Sequence, residues 1–142
     1  MKIKTMTRIY PIGLFLFCLF VFRSNAQLAV NVTPPKITAQ KTIVSLAMTN
    51  NLAEPVVSAR AICFLLDEQG KMIGQSSKWV IGGTKNRLAL SPNKGTTFNF
   101  VITSPKPFTT TNLSAKVSFS RVVLDGDKLA DVTKTVTISN TK

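Results

Sequence analysis

Val56-Val57-Ser58-Ala59-Arg60-Ala61-Ile62-Cys63-Phe64-Leu65-Leu66, followed by Asp67-Glu68-Gln69-Gly70 and then by Lys71 to Ile81, is the stretch that decides the fold. Its first part is apolar on both alternating faces. Val57, Ala59, Ala61, Cys63 and Leu65 share one face, and Ile62, Phe64 and Leu66 share the other beside Arg60. A strand that is apolar on both sides belongs in the middle of a sheet. Asp67 to Gly70 is a tight turn with Gly70 available for positive φ, so Lys71 to Ile81 returns as the antiparallel neighbour. That returning strand carries the single tryptophan, Trp79, and Gly82-Gly83 ends it.

The same period-two pattern extends to both sides. Upstream, Leu28 to Thr33 reads as a strand ended by Pro34-Pro35. From Thr42 to Thr49, Val44, Leu46 and Met48 oppose Ser45, Ala47 and Thr49, before a turn at Asn50 to Pro55. Downstream, Arg87 to Leu90 reads as a short edge strand, and Thr96 to Thr103 places Phe98, Phe100 and Ile102 on one face. Leu113 to Leu124 sets Leu113, Ala115, Val117, Phe119 and Val123 inward. Asp125-Gly126 is a two-residue turn, and Lys128 to Ser139 reads as one final strand with Val132, Val136 and Ile138 inward. The expectation is seven or eight antiparallel strands and no helix, closed as an immunoglobulin-like two-sheet β-sandwich.

These residues also resemble a family. Thr49-Asn50-Asn51 with Glu54-Pro55-Val56, Phe64-Leu65-Leu66-Asp67-Glu68-Gln69-Gly70-Lys71-Met72-Ile73-Gly74, and Leu90-Ser91-Pro92-Asn93-Lys94-Gly95 before Phe98 look like the FxLYD-type immunoglobulin-like domains of bacterial exported proteins. The resemblance covers about Thr42 to Thr103. Leu66 stands where the motif has tyrosine, and Pro92-Asn93 where it has Pro-Gly. It implies architecture and carries no catalytic residue, because the family shares none.

The N-terminus directs the chain outward. Lys2, Lys4 and Arg8 precede an apolar run from Ile9 to Phe22, and Ser24-Asn25-Ala26 supplies the small residues a signal peptidase reads. The expected division is a signal peptide at residues 1–26, cleaved before Gln27, and one domain at 27–142 in the periplasm or extracellular space. A spanning anchor needs roughly 20 apolar residues. The run from 9 to 22 falls short of that, and Arg23 closes it. Cys18 is preceded by Phe17, which does not fit a lipid-attachment site. No later stretch is long enough to span, so no transmembrane segment is expected in the mature chain.

Cleavage changes the bulk properties. Four of the 18 basic residues (Lys2, Lys4, Arg8 and Arg23) leave, so 14 face 6 acidic residues and the net charge is +8. The remaining basic residues are scattered singly, which predicts a diffuse positive field and no specific nucleic-acid binding. Cys63 becomes the only cysteine, without an intrachain partner, and its row of small residues favours burial.

The residue inventory argues against catalysis, cofactors and metal. The chain has no histidine, which removes the usual metal ligand and catalytic base. Asp67 and Glu68 are neighbours in a turn, so their carboxylates diverge. Asp125, Asp127 and Asp131 have the spacing of a calcium loop at its start, but Ala130 and Val136 occupy the positions that need glycine and glutamate. No glycine-rich phosphate loop opens a helix, and no serine–lysine dyad is singled out. Asn31-Val32-Thr33 and Asn112-Leu113-Ser114 match the glycosylation pattern, which matters only in a eukaryotic source.

Two functional expectations follow. One is a non-catalytic binding or structural module whose partner is a protein or an envelope polymer. Its contact aromatics would be Trp79 and Phe108, beside the loops Gly82 to Asn86 and Pro105 to Asn112. The competing role for these two is structural, with Trp79 capping the core and Phe108 plugging the sandwich end. The other expectation is a chaperone-like or assembly-accessory domain that pairs an edge strand with a secreted partner.

Overall fold

A computed structural model describes residues 26–142. The expected signal peptide, with Cys18, therefore lies outside the described residues apart from Ala26. The strands are β1 (Leu28–Val32), β2 (Lys36–Thr38), β3 (Lys41–Asn50), β4 (Val56–Leu66), β5 (Met72–Ile81), β6 (Gly95–Thr103), β7 (Ser114–Leu124), β8 (Lys128–Leu129) and β9 (Val136–Asn140). One helical turn, α1 (Val132–Thr135), separates the last two.

The strands form the two sheets of an all-β sandwich. In the first sheet β3 pairs with β6 on one side, and with β1 and β2 in succession on the other. In the second, β4 is flanked by β5 and β7. Alternation along β3 drives Val44, Leu46 and Met48 into the core, where Phe100 and Ile102 of β6 join them. From the opposite layer come Ala59, Ala61, Cys63 and Leu65 of β4, all fully buried. The small side chains of β4 let the sheets approach, and the large ones of β3 and β6 fill the space between.

Bulges shift two of the expected faces. β4 slips register against β7 between Val56 and Ser58 and again between Arg60 and Ala61. Val56 and Ala59 therefore both point inward, and Val57, expected inside, is only half-buried. At the second slip Ser120 is the extra residue on β7, so Val122 stands opposite the buried Ala59 and joins the core, whereas Val123, expected inward, is buried opposite Leu129 of β8.

Two expected elements are corrected. Arg87 to Leu90 is not a strand; only Leu90 bridges back, exchanging backbone bonds of 2.9 Å with Val56. Lys128 to Ser139 is not a single antiparallel strand either. β8 pairs with β7 for two residues, α1 redirects the chain, and β9 crosses to the first sheet, where it runs parallel to β1. Asp131 marks the break: its carboxylate accepts from the Thr133 backbone N–H at 3.1 Å and the Thr133 hydroxyl at 2.7 Å, which caps α1. The hydroxyl bond, with Lys134 nearby, holds the Asp131 carboxyl below its ordinary pKa.

Asn50 ties the loops to the core from the end of β3. Fully buried, it donates through Nδ2 to the Leu90 carbonyl at 2.9 Å and the Glu54 carbonyl at 3.0 Å, and its Oδ1 accepts from Leu52 N–H at 2.9 Å. Every polar atom of that side chain is thus engaged, as burial demands. Thr42 is the contrast, since its buried hydroxyl has no hydrogen-bond partner among the described residues.

Candidate functional site

Phe108 and Trp79, the two candidate aromatics, lie at opposite ends of the sandwich. The loop after β6 is pinned to the β2–β3 turn by Ser104 N–H to the Gln40 carbonyl at 2.8 Å and Phe108 N–H to the Ala39 carbonyl at 3.1 Å. Those bonds seat the half-buried Phe108 ring against the core, closing that end. Beside it is a cleft of about 460 Å³ whose lining includes Asp67, Glu68, Ile73, Phe108 and Thr110. Both acids there are engaged locally. Asp67 accepts from the backbone N–H of Gln69 at 3.0 Å and Lys71 at 2.8 Å, and Glu68 accepts from the Thr110 hydroxyl at 2.8 Å. This cleft is built from a turn and a loop that fasten each other.

Trp79 sits on the outer face of the second sheet, opposite Arg60 in the β4–β5 ladder. The Arg60 guanidinium stands 5.6 Å from the indole centroid while its Nε donates to the Ser77 hydroxyl at 3.1 Å. Gly83 packs under the ring at φ +75°, and a Cβ added there would run into the indole. Trp79 is half-buried by these neighbours and is not packed on the core cluster. Arg87 reaches the same corner, donating to the Trp79 carbonyl at 2.6 Å with its guanidinium 4.5 Å from the Phe98 ring centroid.

The rest of that outer face follows from the ladders. Ile62, Phe64 and Leu66 run half-buried down β4, with Ser77, Gln75 and the exposed Met72 opposite on β5 and Ser118, Lys116 and Ser114 opposite on β7. Arg121 stands across from Arg60. The result is an apolar stripe extended by Met72 and rimmed mostly by serines, with cations at one end and along one side and no carboxylate among these residues. The outer face of the first sheet differs: Ser45, Ala47, Thr97, Asn99, Asn31 and Ser139 make it mostly small and polar.

Cys63 lies on the inward side of β4, and burial pushes its thiol up to about 11. Such a thiol stays protonated and shielded. Among the described residues no three of His, Cys, Asp and Glu come together as a metal cluster. No described helix is long and apolar enough to cross a membrane.

The free edge of β7 is what sequence reasoning missed. Treating Lys128 to Ser139 as one strand would have covered β7 completely, whereas only Val122 to Leu124 are met by β8 and Ala130. Asp131 two residues before Thr133 was the available signal, because that pairing caps a turn and interrupts a strand. No protein-family model matches this chain, and no curated protein matches it.

Proposed function

We propose that this protein is an exported, non-catalytic binding or structural module of the cell envelope or extracellular space. One observation carries this reading. The outer face of the β5–β4–β7 sheet presents Ile62, Phe64 and Leu66 between serines and cations, with the Arg60–Trp79 pair at its end. An apolar stripe with an aromatic anchor and a polar rim is the composition of a contact surface. Export rests on the basic, apolar and small-residue order of residues 1–26. The FxLYD-type resemblance fits the same setting.

The test is a crosslinked pull-down from the envelope and medium fractions of the source cells, using wild type and Phe64→Lys. A protein or glycan captured by wild type and lost with a folded Phe64→Lys variant is the expected result. Equal capture by both removes this face from the function.

A second reading, that the domain pairs an edge strand with a secreted partner, is favoured by a separate observation. β7 is unpaired on one side from Ser114 to Arg121 among the described residues. Unpaired backbone donors and acceptors are what an added strand needs.

A further inference from the structure

Among the described residues, the strand order leaves a place beside β7 without an occupant. The parallel β1–β9 ladder sets Val136, Ile138 and Asn140 on the same face as the buried Leu28, Val30 and Val32. Ile138 nevertheless remains 38% exposed, against 2% for Val30. β9 is the edge strand of its sheet among the described residues, so Ile138 lies at the side of the sandwich, where the layer opposite is also open beyond β7. The wall of this opening is apolar, since Ala115 is half-buried and Val117 and Phe119 are nearly buried on the inward face of β7. At one end it widens into a cavity of about 160 Å³ between Val32, Pro34, Leu113, Ala115 and Asn140.

A comparison with β5 shows that this edge lacks a charge on its inward side. β5 carries Lys78 opposite the buried Ala61, so an inward-facing charge blocks strand addition there. Ser114 to Arg121 contains no proline, and its inward residues Ala115, Val117 and Phe119 carry no charge. Its two cations, Lys116 and Arg121, stand on the outward face, where the cross-strand neighbours of an added strand would meet them.

We infer that this place takes an extended segment of a partner polypeptide, apolar on its inward side chains and acidic on its outward ones. The inference rests on the edge-pairing reading above and adds the chemistry of the partner. The inward residues would cover Ile138, Ala115 and Val117, and the outward ones would meet Lys116 and Arg121. A second copy of this chain is the poorer occupant, because two β7 edges would bring the same cations together on a domain of net charge +8.

The test uses the purified protein with three short probe peptides that alternate valine with glutamate, with serine or with lysine, followed by isotope-edited NMR and titration. The expected result is binding of the glutamate peptide, with amide shifts and cross-strand contacts confined to Ser114–Arg121. In the Lys116→Glu/Arg121→Glu variant, its affinity should fall at least about tenfold and the lysine peptide should take its place. Equal binding of the serine peptide, unaffected by the charge reversal, overturns the acidic partner and leaves edge pairing standing. Protection of the same amides through dimerisation, seen by sedimentation, overturns it in favour of a second copy. If no peptide perturbs β7, both the inference and the edge-pairing reading fail.

Discussion

Ile138 lies directly across the parallel ladder from Val30, yet Val30 is 2% exposed and Ile138 is 38% exposed. The two share a face, but Val30 lies on β1 between β3 and β9, whereas Ile138 lies on β9, the edge strand of that sheet among the described residues. Val30→Ala should therefore cost about 2 kcal/mol, while Ile138→Ser should cost under about 1 kcal/mol. Urea unfolding of both variants measures the difference. Equal losses would mean that the opening beside β7 is covered in solution.

Asn50→Ala should be among the most damaging single changes outside the apolar core. It leaves the Glu54 carbonyl and the Leu52 N–H without this partner and the Leu90 carbonyl with only the Val56 N–H. The expected loss is about 2–4 kcal/mol, read from the denaturation midpoint with an unchanged slope.

Thr42→Val works in the opposite direction. The Thr42 hydroxyl is buried without a hydrogen bond, so replacing it with a methyl removes a desolvation cost at nearly the same shape. Stability should rise by about 1 kcal/mol, measured by thermal or urea unfolding. A loss of similar size would show that the hydroxyl holds a partner in solution.

Trp79 is braced by Arg60 and Gly83 on the outside of the sheet, away from the core cluster. Trp79→Ala should cost only about 1–2 kcal/mol, where Phe100→Ala in the core should cost about 3–5 kcal/mol. Gly83→Ala should also destabilise, because the added Cβ meets the indole and the backbone sits at φ +75°. Parallel melts of the three variants test the ranking.

Burial raises the Cys63 thiol from 9.0 to about 11, so the unfolded chain releases its proton first as pH climbs. The stability linked to this group is complete below pH 9 and is lost as pH rises through about 11. At neutral pH, labelling by a thiol reagent should be slow in the native protein and fast in urea. Fast native labelling would place the thiol within reach of solvent.

How much of this was legible in the residues varies by element. The β4–β5 hairpin was readable because its information is local: an apolar run, Asp67 to Gly70, and a return strand, with Gly70 at φ +78° as the turn requires. The inward row of β3 was readable for the same reason, since strict alternation can face only one core. Neither the extra Val57 on β4 nor the extra Ser120 on β7 was legible, because a bulge serves the register of a neighbour distant in sequence. The path of the last strand was also hidden, since Val136 and Ile138 alternate equally well beside β7 or beside β1.

The candidate sites divide along the same line. Phe108 and Trp79 stood out by residue type, but only the folded chain seats one against the core and the other beside Arg60 on an outer face. By itself the sequence determined the strand pattern, the histidine-free chemistry and a basic domain, because these depend on composition and near neighbours. Only the tertiary structure decided that β9 leaves β7 for β1. Beside β1 the backbone of β9 is paired and Val136 packs on the core, and Ser114 to Arg121 is left open among the described residues.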